Sequence, residues 1–325
     1  MHTRRFVLFA FAALALAGCT GAPTPAGPSA TPSAEYAAVS LTNCDVPVTF
    51  TAPPKAALTL NQGATEVMLS LGLEASMVGT AYLDDGIPER WKAAYDKVKV
   101  LSDKYPSKEA FLAAQPDFAY ASYASAFTDK AVGTREELSN EKVSTYLSPF
   151  GCPKGVEKAP STMEGAWGEV RDVAKIFGVP DRAESLIAEQ QKQLDDLTTQ
   201  SAGKGKKVLW YDSGDKELFA GAGHGGPQII LNAIGATNIF ADAEGGWANM
   251  AWEKVVQADP DVIVFADAAW STAKEKIAYL EADPVLSKLK AVKAKAYITV
   301  PFSESTPGIR LVDGAAAVAS QIATI

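Results

Sequence analysis

The chain has 325 residues and a formal net charge of −8; 47% of its residues are hydrophobic and 21% charged. This balance suits a soluble globular body of one large or two ordinary domains. It excludes the basic surface that phosphate-backbone binding needs, so no nucleic-acid partner is expected. Only two histidines and three cysteines occur, too few for a His-rich or Cys-rich zinc site. Neither a G-x-x-x-x-G-K-[ST] phosphate loop nor a G-x-S-x-G elbow is found. The expectation is a protein that is not an enzyme, with no cofactor and no metal.

Thr3-Arg4-Arg5 followed by the apolar run Phe6 to Ala17 reads as an export signal. The run would rise about 18 Å as a helix, short of a bilayer core of roughly 30 Å. Leu16-Ala17-Gly18-Cys19 resembles the lipobox of bacterial lipoproteins, which implies lipidation of Cys19 and an anchor on the outer face of the cell membrane. Residues 1–18 are then signal peptide. Residues 19–43, rich in Pro, Ala, Ser and Gly at the start, are read as a tether. Sec and twin-arginine export both remain open. Export leaves Cys44 and Cys152 in an oxidising compartment, where such a pair is expected to bridge.

The folded part opens with a strand at Ala57–Leu60, a helical segment from Glu66 to Leu73 and a strand at Val78–Ala81. A helix start at Pro106-Ser107-Lys108-Glu109, a strand beginning at Pro116-Asp117 and another over Lys142–Leu147 complete a first lobe, residues 44–160. Ser161-Thr-Met-Glu164 has the form of a capping box, and Met163, Ala166, Trp167, Val170, Ala174 and Phe177 recur at helical spacing. After the break at Gly178-Val-Pro180, Asp181 can cap a second helix, which closes a connecting segment of residues 161–203. A second lobe, residues 204–325, repeats the order: strand Lys207–Tyr211, helix Pro227–Gly235, a helix from Trp252-Glu253 and a strand after Pro260-Asp261. Glu109 and Glu253 each stand seven residues before a Pro-Asp pair at a strand start. Strands alternating with helices indicate parallel sheets, so the fold class is α/β, two Rossmann-like lobes joined by a long helix, with ligand entering between them.

The run Asn61-Gln-Gly-Ala-Thr-Glu-Val-Met-Leu-Ser-Leu-Gly72, both Pro-Asp strands, the Phe177-Gly-Val turn and Leu231-Asn-Ala-Ile-Gly-Ala-Thr-Asn238 together resemble the solute-binding proteins of ABC importers for siderophores, haem and cobalamin. The likeness covers roughly residues 48 to 325. It implies the class III periplasmic-binding-protein fold, small closure motions and docking on a permease that works with an ATPase. Leu60–Met68, Tyr120–Phe127, Trp210–Gly214 and Pro301–Gly308 resemble an actinobacterial subgroup proposed to import a phosphate-bearing precursor of the deazaflavin coenzyme. In one departure from the family, Asn140-Glu-Lys replaces the usual glycine before the strand at Val143. A monomer is expected.

In the family, one glutamate per lobe pairs with permease arginines. Glu109 and Glu253 fit that role, and simple helix capping fits them too. Gly221-Ala-Gly-His-Gly-Gly226 before Pro227, with Gly223 and His224, and Asn61-Gln62-Gly63 in the first lobe offer helix starts to an anion. Tyr82, Tyr123, Tyr211, Trp270 and Phe302 follow strand ends, where α/β crevices bind ligands, and Trp247 and Trp252 lie near glycines. They make a stacking wall or part of the core. Arg310 is read as a bidentate partner for phosphate or carboxylate, or as a surface ion pair. Glu304 is read as a ligand contact or a structural loop acid. These residues suit a planar, anionic ligand; a ferric siderophore, haem or corrinoid is the alternative, and a tethered hydrolase using His224 the remote one.

Overall fold

The computed structural model describes residues 36–325, so the signal peptide, Cys19 and most of the expected tether lie outside the described residues. The tether was expected to run to residue 43. Instead Val39–Asn43 (β1) pairs antiparallel with Val46–Phe50 (β2). Alternation in both segments turns one face inward, and Cys44 and Asp45 take φ of 49° and 62° in the two-residue turn, as tight hairpins require. Asn43 fastens the hairpin to the first lobe: its Nδ2 donates to the Leu147 carbonyl at 2.8 Å, and its Oδ1 accepts from the Leu147 N–H at 2.8 Å. Cys44 is bonded to Cys152, 108 residues away.

The first lobe holds Ala57–Leu60 (β3), Met77–Ala81 (β4), Val100–Ser102 (β5), Phe118–Ala121 (β6) and Ser144–Leu147 (β7), all parallel in the order β5-β4-β3-β6-β7. Its helices are Gln62–Ser70 (α1), Glu89–Tyr95 (α2), Lys108–Ala113 (α3) and Arg135–Asn140 (α4). Helix α1 starts four residues earlier than its apolar run suggests and is buried along nearly its whole length. Where the family glycine was missing, Lys142 itself takes a φ of 65°, so the turn survives with a strained residue.

Met163–Ile176 (α5) buries the expected stripe, but Thr162 rather than Ser161 caps it, accepting from the Gly165 N–H at 3.0 Å. With glycine three residues into the helix, no reciprocal carboxylate exists, so the expected capping box does not form. Pro180–Gln200 (α6) has 21 residues and begins on Pro180, which leaves Asp181 inside the first turn rather than at the cap. At about 1.5 Å per residue it runs roughly 30 Å. Gln190 on α6 accepts from Trp167 Nε1 at 2.7 Å and donates to the Ile309 carbonyl at 2.7 Å, so one side chain ties both connecting helices to the second lobe.

The second lobe contains Lys207–Ser213 (β8), Leu218–Gly221 (β9), Gly226–Ala233 (α7), Thr237–Asn238 (β10), Trp247–Met250 (β11), Trp252–Ala258 (α8), Val262–Asp267 (β12), Ala273–Ala282 (α9), Lys290–Ala294 (α10), Tyr297–Pro301 (β13), Phe302–Ser305 (α11) and Leu311–Ile322 (α12). Its sheet runs β11-β9-β8-β12-β13, with β10 also on β8. It is mixed rather than wholly parallel: β9 pairs antiparallel with β8 and with β11. The link from β8 to β9 is a short turn through Gly214 at φ 82°, and only an antiparallel partner can be reached by so short a connection.

The repeated Pro-Asp phrase has one structural meaning in both lobes. Asp117 accepts the N–H groups of Lys55 and Ala56 at 2.8 and 2.9 Å, just before β3. Asp261 accepts the Lys207 N–H, at the start of β8, at 2.7 Å. In each case the aspartate ahead of the later strand ties down the start of the first strand beside it.

Candidate functional site

Strand order reverses beside β3 in the first lobe and beside β8 in the second, and loops leaving such switch points form ligand crevices. Here the loops of the two lobes meet. A cavity of about 280 Å³ is lined by Tyr123, Phe150 and Lys158 from the first lobe and Phe219, His224 and Trp247 from the second. A more open hollow of about 600 Å³ adjoins it through Lys158, His224 and Gly245. Phe302 lies between Trp247 and Trp270, with ring centroids 6.3 and 5.4 Å away. Trp270 is 55% exposed, and Trp247 Nε1 is shielded from solvent without a partner. The row is an apolar wall ending in an exposed indole, suited to a flat ring.

Tyr123, His224 and Trp247 therefore reach the cavity, and Phe302 and Trp270 continue its wall. Tyr211 does not: it is wholly buried, its hydroxyl donates to the Gly214 carbonyl at 2.9 Å, and its ring meets Trp252 edge-on at 5.3 Å. Apolar neighbours on both faces of β8 make it core. Asn61 and Gln62 are buried as well. Asn61 accepts from the Tyr105 hydroxyl at 2.9 Å, while Gln62 donates to Glu66 at 2.8 Å and accepts from the Asp84 N–H at 3.1 Å. The start of α1 is closed to an anion, because Ser122 Oγ takes the Ala64 N–H at 3.1 Å and a Cβ on Gly63 would lie 3.0 Å from the Pro307 carbonyl. Tyr82, at φ 60°, packs edge-on against Tyr105. Gly223 donates to the Ala243 carbonyl at 3.0 Å and supports the loop rather than lining the cavity.

Arg310 differs most from expectation. Its guanidinium, 7% exposed as a residue, is enclosed by carboxylates: Glu304 Oε1 at 2.6 Å, Glu66 Oε1 at 3.3 Å and Asp85 Oδ1 at 3.8 Å, with Ser303 Oγ also in contact. It is a cation already neutralised, joining the second lobe to α1 of the first, and not a free anion receptor. Ser303 N–H donating to Asp85 Oδ2 at 2.9 Å and the Arg90–Asp313 ion pair cross the same boundary. Glu304 is accordingly a partner of Arg310. Burial pushes the Glu66 carboxyl up to about 7 against the pull of Arg310.

Acids that sequence reasoning passed over gather beside this cluster. Burial, then the charges of Asp85 and Asp212, push Asp84 up to about 7. Burial pushes Asp212 up to about 6, opposed by the Ser213 hydroxyl and Lys276. An aspartate at the end of the apolar strand Val208–Tyr211 and a doubled aspartate just past β4 were the signals available. Phe150 and Phe219 gave none, since each is one aromatic in a loop or a four-residue strand. Among the described residues no group of three or more His, Cys, Asp or Glu side chains is placed to hold a metal ion, and no helix is long and apolar enough to cross a membrane.

Glu109 and Glu253 are exposed and are each the second residue of a helix, α3 and α8. The Glu109 carboxyl is held below its ordinary range by its own backbone N–H and by the Ser107 hydroxyl.

Two α/β lobes, a spanning helix and an aromatic cavity walled by both halves define a two-lobed binding protein. The periplasmic binding protein family matches residues 58–304, and the chain belongs to it. It is similar to the uncharacterized ABC transporter substrate-binding lipoprotein YvrC of Bacillus subtilis, 27% identical over 319 residues, which span 96% of this chain and 94% of the relative. It is 23% identical over 231 residues to the vitamin B12-binding protein of Vibrio campbellii, across 69% of this chain and 78% of that one. A crystal structure of a periplasmic binding protein from Veillonella parvula superposes with a TM-score of 0.77 at 32% identity, covering 89% of this chain and 98% of that one.

Proposed function

We propose that this protein is the solute-capturing component of an ABC importer, anchored outside the cell membrane through Cys19, which holds a planar ligand between its lobes and passes it to a permease. The observation that carries this reading is the Trp247–Phe302–Trp270 row beside a cavity to which both lobes contribute. The ABC-transporter and vitamin B12 names of its relatives support it, and the lipobox-like tetrad together with the lipoprotein name of YvrC supports the anchor. Glu109 and Glu253, exposed at matching places in the two lobes, serve as the docking acids. Among candidate solutes a corrinoid or haem, each with a flat macrocycle, or a ferric chelate is favoured. A phosphate-bearing deazaflavin precursor would have to use Lys158, His224 and the loop at Gly225, since Arg310 is engaged.

The test is native mass spectrometry of purified protein, followed by tryptophan-fluorescence titration with cyanocobalamin, haem, a ferric hydroxamate and a deazaflavin. Saturable binding of one of them, weakened at least about tenfold (a loss of roughly 1.4 kcal/mol) by Trp247→Ala, is expected. Failure of the purified protein to retain or bind any small molecule would refute the reading.

A further inference from the structure

A second cavity opens between the lobes, away from the aromatic one. It measures about 380 Å³, and Asp85, Asp267 and Arg310 supply its charged lining. Asp85 comes from the loop after β4 in the first lobe, and Asp267 from the end of β12 in the second. Asp85 Oδ1 on its wall is shut away from solvent with no hydrogen-bond partner, and so are Asp84 Oδ2, from the neighbouring residue, and Asp212 Oδ1 of the second lobe. Asp212 as a whole is only 2% exposed. Buried acceptors left unpaired are costly and rare in folded proteins, so their gathering from both lobes at one crevice calls for a donor.

The cations nearby do not supply it. The two terminal nitrogens of Arg310 are taken up by Glu304, Glu66 and Ser303, while its Nε N–H is shut away without a partner and meets none of these acids. Lys276, 3% exposed, donates to the Ala266 carbonyl and lies 5.7 Å from the Tyr211 ring centre. Burial lowers its amine to about 8, against the pull of Asp212 and Asp267. Asp84 and Asp212 also act on Tyr123, which lines the aromatic cavity; after burial, the Asp84 charge is the largest influence raising its hydroxyl. The acids thus lie next to the ring-binding end and are continuous with the second cavity through Asp85.

We propose that this acidic end of the cleft, with Asp84 and Asp85 from one lobe and Asp212 and Asp267 from the other, receives a cationic group carrying several N–H donors, of the ammonium or guanidinium class, on the captured solute. The inference rests on the solute-capture reading and narrows it: the ligand pairs a flat body with a positively charged arm, and its charge draws the two lobes' carboxylates onto one group. A ligand presenting an anion here would face the Asp85 and Asp267 carboxylates on the cavity wall, beside an arginine whose terminal nitrogens are already engaged.

The test uses protein freed of retained ligand and two small probes of similar length and opposite charge, agmatine and glutarate, followed by calorimetry and thermal shift. Agmatine is expected to bind saturably and glutarate not at all. Agmatine binding should fall at least about tenfold in Asp84→Asn and again in Asp212→Asn. Because each change removes an unpaired buried charge, both variants should melt no lower than the parent at alkaline pH. No response to agmatine, an equal response in parent and variants, or binding of glutarate in its place overturns the inference. So does a lowered melting point in both variants, which would mark the acids as structural. The solute-capture reading stands or falls separately, on whether any ligand is retained or bound at the aromatic end.

Discussion

Replacing Arg310 by methionine keeps most of the side-chain volume and removes the only guanidinium among Glu66, Asp85 and Glu304. Breaking a buried ion pair by deleting one partner costs about 3–5 kcal/mol, because the other charge stays buried and uncompensated. Here the loss depends on pH in a defined direction. The Glu66 carboxyl is already raised to about 7 by burial while Arg310 pulls it down, and Glu304 is also raised by burial. Without the arginine both rise further. A carboxyl whose folded pKa is raised lets the folded state bind more protons than the unfolded state, so stability is lost as pH climbs through the folded value. At about pH 8 Arg310→Met should therefore cost the full amount, roughly 3–5 kcal/mol; at about pH 5.5, where Glu66 is protonated in both proteins, the cost should shrink by about 1–2 kcal/mol. Urea titrations read by circular dichroism at the two pH values measure the difference. Glu66→Gln added to Arg310→Met should recover about 1 kcal/mol or more at the higher pH. Equal losses at both pH values, or a loss below about 1 kcal/mol, would show that the arginine does not neutralise buried acids.

The ligand-free parent protein should itself lose stability as pH rises from about 5 to about 8, because Glu66, Asp84 and Glu169 are each raised to about 7 and Asp212 to about 6, all mainly by burial. A melting temperature that is flat or climbs over that range would contradict the sign. Replacing both Cys44 and Cys152 by serine reopens a span of 108 residues and should cost about 4 kcal/mol in a chemical-denaturation measurement; unchanged stability would mean the bridge constrains nothing. Gly226→Ala places a Cβ 1.9 Å from the Ser305 carbonyl oxygen and should destabilise by about 1–3 kcal/mol. Gly168→Ala, in α5 with nothing within 4 Å, should stabilise by roughly 0.5–1 kcal/mol. If the two behave alike, the close packing of α7 on α11 is wrong.

β6 and β12 were legible because Pro-Asp marks each start and the apolar runs after it have no helical period. The stripe on α5 was legible for the complementary reason. β9 and β11 were not: each has four residues beside glycines, with no run long enough to show alternation. The hairpin at Val39–Asn43 was hidden by the Pro-rich segment before it, which drew the expected tether too far. Within the site, Tyr123, Phe302 and Trp270 were singled out by following strand ends and Trp247 by its neighbouring glycines, and the structure places these four at or beside one cavity. Tyr211 shared the signal but not the place, since a fully apolar strand does not reveal which of its residues meets the crevice. The state of Arg310 was illegible in a deeper sense. Its partner Glu66 lies 244 positions away, and local sequence cannot distinguish a guanidinium waiting for an anion from one already satisfied.

Gln190 offers a practical consequence. Its amide is the relay between the Trp167 indole and the carbonyl of Ile309, the residue beside Arg310. Were ligand capture to shift that loop, the Trp167 indole proton would feel it through this relay. A fluorine label on Trp167 would then report occupancy by its resonance frequency, giving the protein a built-in gauge whose needle sits outside the chamber it measures.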